Sequence, residues 1–274
     1  MKHGIICPVA QLERFATLSD FHLILPHLVE KYPKYTEFYK ERSRKKDFIL
    51  LDNSIFELGH SLDKVELLEI AEDIGATEVV APEVWHNKKD TIKLVDEFIQ
   101  YHQQKRSSIR ILAMATGETE DEIVESFFYY NTHPFINSLG LPFTLDYELK
   151  GISNNIKSET LKRVLNRWHL IERITNYAES SSQLIKPTHL MGLSDAVELQ
   201  RYTGIRYYWV RSNDSSTAFV HGYNKILYTD RGLPCEKIKQ KLDFGGYSTI
   251  ELDEKQIQCI TYNIDKILSW CEYK

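Results

Sequence analysis

The feature that most narrows the fold is a repeated exchange between short apolar runs and longer stretches of helical periodicity. Phe48-Ile49-Leu50-Leu51 runs without interruption into Asp52-Asn53, as a strand buried on both faces does. Over residues 62–74, Val65, Leu67, Leu68, Ile70 and Ala71 form one broad stripe, and Gly75 stands behind them as a C-cap. Strands are predicted again at 78–83, 110–115 and 135–140, and helices at 88–103, 120–130 and 158–180. Counted from Phe21-His22-Leu23-Ile24-Leu25, there are eight strand candidates, the last being Lys225-Ile226-Leu227-Tyr228, and helices of 8 to 20 residues separate most of them. Alternation of this kind predicts a parallel sheet, and eight units in 274 residues favour a closed α/β barrel, (β/α)8, over an open sheet. A single domain over 1–274 is expected, with an irregular insertion or lid at about 212–248 and a terminal helix over 254–272. Gly4 to Cys7, ahead of the count, reads as a short strand stopped by Pro8.

Thr188-His189-Leu190-Met191-Gly192-Leu193-Ser194 reads as a strand and its turn. A short helix over 195–202 follows, opened by Ser194 and closed by Gly204. The aromatic run Tyr207-Tyr208-Trp209-Val210 then ends in Ser212-Asn213-Asp214-Ser215-Ser216. Asp214 is expected on a loop at the carboxyl end of a strand, where parallel α/β folds collect ligands and chemistry.

The net charge of 34 − 39 = −5 supplies no global basic field for nucleic acid. Arg42, Arg44, Lys45 and Lys46 read as a solvated helix end favoured by the dipole. Cys7, Cys235, Cys259 and Cys271 form no C-x-x-C pair and have no metal-ligand spacing, so they read as reduced structural thiols. No metal or cofactor is expected, and no G-x-G-x-x-G or P-loop occurs. The apolar run after Met1 is too short for a signal peptide and no segment approaches a membrane span, so the cytoplasm is the expected location.

If the barrel closes, its strand ends bring together Asp52, Asn53, Glu83, Thr116, Gly117, Gly140, Met191, Gly192 and Asp214. Three carboxylates in one pocket suit covalent or acid–base work on a heterocycle, one as nucleophile and another as proton carrier. The third could accept hydrogen bonds from ring N–H groups, and Gly117, Gly140 and Gly192 leave room for a flat ring. Plain structural readings stand beside these. Asp52-Asn53-Ser54 can cap the next helix, and Glu57 and Asp195 suit caps or first turns. His22, His27, His189 and His221 read as structural or solvent-facing, and Trp85 and Trp209 as packing.

Several segments together resemble the tRNA-guanine transglycosylases. Leu51-Asp52-Asn53-Ser54-Ile55-Phe56-Glu57 is similar to that family's Asp-Ser-Gly-Gly-Phe-Gln motif, and Val79-Val80-Ala81-Pro82-Glu83 to its strand with the base-reading aspartate. Ala113-Met114-Ala115-Thr116-Gly117 resembles its Val-Gln-Gly segment. His189-Leu190-Met191-Gly192-Leu193, followed by Gly204 and Asp214, resembles the Tyr-Leu-Met-Gly-Val-Gly segment that leads to the nucleophile. The order holds over about residues 48–218. The resemblance is nearest to compact phage-type 7-deazaguanine DNA transglycosylases, because the tRNA enzymes' zinc-binding cysteines have no counterpart.

The resemblance implies Asp214 as the nucleophile at C1′, Asp52 as general acid/base and Glu83 as base reader. It also implies a base pocket lined by Asn53, Thr116, Gly117, Gly140, Leu190, Met191 and Gly192. The expected activity is exchange of guanine in DNA for a 7-deazaguanine through a covalent aspartyl–sugar intermediate. Its partners would be DNA, with tRNA as the other polymer, and guanine or a 7-deazaguanine base, in the host cytoplasm if the source is a phage. Two further readings stay open: hydrolysis or transfer on a free nucleoside, and a barrel that binds nucleic acid or a modified base without turnover.

Overall fold

Eight parallel strands carry the fold: β1 (Lys2–Ile5), β2 (Phe21–Ile24), β3 (Phe48–Leu51), β4 (Glu78–Val80), β5 (Arg110–Met114), β6 (Ser138–Pro142), β7 (Thr188–Met191) and β8 (Val210–Ser215). The computed structural model describes residues 1–145, 156–238 and 251–272. The strands are ordered β1-β8-β7-β6-β5-β4-β3-β2 and helices alternate with most of them, which is the (β/α)8 barrel topology. Two compact units divide the chain: Met1–Ser19 with Pro142–Ile185 and His189–Lys274, and Asp20–Leu141 with Lys186–Thr188.

In the unit containing Asp20–Leu141, β2 to β5 pair in sequence with β6 at the end, and Leu50 faces Glu78 and Leu112 faces Ser138 in register. Ile49, Leu50, Leu51, Val79 and Val80 are fully buried, each contributing about 1.5–3 kcal/mol relative to exposure. Helix Lys64–Ile74 covers part of this core with Leu67, Leu68, Ala71 and Ile74. Asp63 caps it by accepting from the Val65 N–H at 2.8 Å, and Gly75 ends it at φ +72°. Asn87 and Thr119 cap Lys88–Lys105 and Glu120–Thr132 in the same way.

In the other unit, β1 pairs with β8, Gly4 opposite Asp214 and His3 opposite Asn213. His3 Nδ1 lies 2.6 Å from Asn213 Oδ1, and the amino terminus donates to Cys271 O. Burial holds the His3 imidazole at about 4, so it is neutral near pH 7. Helix Glu254–Cys271 starts with a capping box between Asp253 and Gln256.

Several expected elements fall elsewhere. The eighth strand is the N-terminal β1, not 225–228. There, the Tyr228 N–H donates to Asn263 Oδ1 and Ile226 O accepts from Asn263 Nδ2, so a helix side chain takes the groups a ladder would need. Tyr207 closes a 3-10 turn (Ile205–Tyr207) and β8 begins only at Val210. Asp214 therefore lies inside a strand, because β1 extends the ladder to Ser215. The helix expected over 195–202 is a 3-10 helix, Ala196–Arg201, capped by Asp195 rather than Ser194. The expected lid over 212–248 begins as strand and continues as helix Thr217–Tyr223; its part at 239–248 lies outside the described residues.

Arg42 bonds Asp47 and Lys45 bonds Glu41, which leaves that basic cluster as a helix end. The four cysteines are free thiols, and all but Cys235 are buried. Among the described residues no helix is long and apolar enough to cross a membrane.

Candidate active site

At the ends of β3 and β4, Asp52, Asn53 and Glu83 come together. β3 stops at Leu51, and the Asp52 N–H still donates to Ile24 O at 2.9 Å. The chain then turns through Ser54, at φ +60°, with the Ser54 N–H on Asp52 Oδ2 at 3.3 Å and the Ile55 N–H on Asn53 Oδ1 at 3.1 Å. These are the local side-chain turns that Asp and Asn favour. Asn53 Nδ2 donates to Ala81 O at 3.1 Å and to Glu83 Oε1 at 3.2 Å. Ser61 Oγ accepts from the Glu83 N–H and donates to Glu83 O, and Thr91 Oγ1 does the same for Val84. Two hydroxyls thus fix the backbone that carries the Glu83 carboxyl.

Burial pushes that carboxyl up to about 7, against the Asn53 hydrogen bond, and the Asp52 charge adds to the rise. A carboxyl that titrates near neutrality can give or take a proton at pH 7. His27 Nδ1 lies 2.8 Å from Ser54 Oγ, and burial lowers its basicity. Trp85, expected as packing, is 42% exposed and meets Phe56 edge-on at 6.0 Å; Trp209 is buried.

The second cluster lies on β7 and β8. His189 Nε2 is 3.0 Å from Asp214 Oδ1 and Nδ1 is 2.9 Å from Ser212 Oγ, all buried. A carboxylate only accepts, so Nε2 carries the hydrogen toward Asp214. The Gly192 N–H donates to the same Oδ1 at 2.8 Å. Arg167, from helix Glu159–Ser181, grips the turn: it donates to Met191 O at 3.3 Å and Gly192 O at 2.8 Å, and its other face is paired with Glu198.

Of the expected residues, Asp52, Asn53 and Glu83 come together, and Gly192 meets Asp214. Leu190 is buried, and the Thr116 N–H donates to Ser126 Oγ at 3.1 Å. At each of the three glycines the place of a Cβ is taken by this chain's own atoms. A Cβ on Gly117 would meet Glu122, one on Gly140 would meet Met114, and one on Gly192 would lie 2.5 Å from the Phe143 ring. Their spaces are already filled by this chain's own side chains.

The sequence presents His189 only as structural or solvent-facing and does not single out Arg167, Glu198 or Lys237. Strand alternation held a signal for the first, since 189 with 191 and 212 with 214 share faces of neighbouring strands. The others are far apart in the chain and left none. Among the described residues no group of three His, Cys, Asp or Glu is placed to hold a metal.

No family model matches the chain, and no curated protein matches it. Solved structures similar to it include the following two. One is N-acetylneuraminate lyase from Fusobacterium nucleatum complexed with pyruvate, at 10% identity over 98% of this chain and 97% of that one, with a TM-score of 0.48. The other is CdNal from Clostridium difficile in complex with mannosamine, at 10% identity over 79% of this chain and 71% of that one, with a TM-score of 0.42.

The resemblance to the tRNA-guanine transglycosylases is thereby corrected: no match of sequence stands behind the motifs, and the similar structure from Fusobacterium nucleatum is named as a lyase. Guanine exchange is withdrawn with it, as are DNA, tRNA and the guanine bases as partners, the nucleoside reading and the nucleic-acid-binding reading. The physical reason lies in the motifs. A buried strand running into a polar turn yields such short matches wherever parallel strands end, and here their glycines pack against protein.

Proposed function

We propose that this chain is an enzyme that transfers protons to and from a small polar molecule, with Glu83 as the proton carrier and Asp52 as its carboxylate neighbour. One observation carries the reading: a buried carboxyl at a strand end, held by Asn53, that titrates at about 7. General acid–base groups work best with a pKa near the operating pH, and groups so perturbed cluster at functional sites. A purely structural role fits the same carboxyl less well. Burying a carboxyl that is half-charged at neutral pH is costly, and the Asn53 amide on Oε1 offsets only part of that cost. Burial does most to keep the Glu83 proton on, and Asp52, itself 5% exposed, adds to the rise.

The test is solvent exchange. The protein in heavy water is incubated with a panel of small carbonyl compounds and hydroxy acids, and NMR follows deuterium entering carbon positions. Wild type is expected to exchange at least one compound, with the rate lost in Glu83→Gln and reduced in Asp52→Asn. The reading is overturned if carboxyl NMR finds Glu83 titrating in the ordinary range of a glutamate, or if both variants exchange as wild type does.

A further inference from the structure

Lys237 is a cation in an unusual setting. Its backbone N–H donates to Thr160 Oγ1 at 2.9 Å, which fixes where the side chain starts. Its Nζ donates to Leu193 O at 2.6 Å and lies 4.1 Å from the centre of the Phe143 ring. Among the described residues the ammonium makes no ion pair, and two of its three N–H donors are unspent.

The surrounding charges are already committed. Glu198 is paired with Arg167, and Asp214 Oδ1 takes the Gly192 N–H and faces His189. Phe143 carries a second cation, the Arg163 guanidinium, 5.8 Å from the ring centre. Burial lowers Lys237 to about 8; Arg167 and Arg163 add to that, and Asp214 and Glu198 oppose it. An ammonium taken from water without a counter-ion is costly, and a ring face replaces only part of the lost hydration. Phe143 cannot move aside freely, because its ring lies against the backbone of Gly192. Among the described residues, the ammonium is thus partly dry and has no carboxylate partner.

We propose that Lys237 anchors a small-anion site, in which its free N–H groups bind a carboxylate or phosphate group of a small molecule while Leu193 O and the Phe143 ring hold its other sides. The charge-assisted bonds replace hydration the ammonium has lost, and a bound anion raises its affinity for the proton. The site stands apart from the proton-transfer reading and does not depend on it.

Inorganic phosphate and glycolate are the probes, titrated by calorimetry at constant ionic strength made up with sodium chloride. Saturable binding of at least one is expected, roughly tenfold weaker in Lys237→Met and close to wild type in Lys237→Arg. Binding of phosphate alone assigns a phosphoryl ligand, and binding of glycolate alone assigns a carboxylate; either supports the site. The proposal is overturned if neither probe saturates the wild type, or if Lys237→Met binds as tightly. Should the methionine variant not fold, acetylation of wild-type lysines mapped by mass spectrometry decides: selective protection of Lys237 by a probe supports the site, and equal labelling with and without probe overturns it.

Discussion

Asn53 donates its side-chain amide to Glu83 Oε1 at 3.2 Å and to Ala81 O at 3.1 Å, so one residue past β3 holds both the backbone and the acid past β4. The Glu83 hydrogen bond favours the charged carboxylate, while burial and Asp52 favour the neutral acid, and burial wins.

The first consequence is a slope of stability with pH. Glu83 binds its proton more tightly folded than unfolded, so its contribution is whole below about pH 4.5 and is lost as pH rises through about 7. Wild type should lose up to roughly 3 kcal/mol more than Glu83→Gln between pH 5 and 8. Urea unfolding at both pH values checks this; parallel curves for the two proteins would refute it.

Asn53→Ala should move the Glu83 titration further up, because the one hydrogen bond that opposes the rise is gone. It should also cost roughly 1–3 kcal/mol for each buried partner left unpaired, chiefly Ala81 O and the Ile55 N–H. Carboxyl NMR reads the first effect and thermal melting the second. A downward movement of the titration would mean that Asn53 had been shielding Glu83 rather than charging it.

The buried pair Arg167–Glu198 should behave as a unit. Glu198→Leu leaves a guanidinium uncompensated and should cost roughly 3–5 kcal/mol. Adding Arg167→Met should recover part of that loss, although Met191 O and Gly192 O then lose their donor. A double-mutant cycle measures the coupling, and simple additivity would contradict it.

Gly192→Ala meets two obstacles, a backbone at φ +63° and the Phe143 ring 2.5 Å from the new Cβ. The left-handed backbone should cost about 1–2 kcal/mol, and the overlap about 1–3 more. Phe143→Ala in the same chain should relieve only the overlap. If the double variant is no more stable than Gly192→Ala alone, the ring is not what fills that space.

Much of the architecture was legible along the chain, because local patterns dictate it. Phe48-Ile49-Leu50-Leu51 could only be a doubly buried strand, and the stripe from Leu67 to Ile74 could only be a helix with one covered face. The eighth strand was misplaced for a reason that no local pattern contains. Whether 225–228 or 2–5 joins a ladder depends on Asn263, in a distant helix, taking the backbone groups of the former.

The candidate site divides along the same line. The sequence determined that acids follow the strands, since Asp52 and Glu83 directly succeed apolar runs and strands end where polar residues begin. Only the tertiary structure decided that Asn53 reaches Glu83, that His189 faces Asp214, and that the Lys237 ammonium meets Leu193 O and the Phe143 ring. Periodicity is a property of neighbours in the chain and can be read there. Hydrogen bonds and charge balance between residues tens of positions apart depend on which strands lie side by side, and that is fixed by packing.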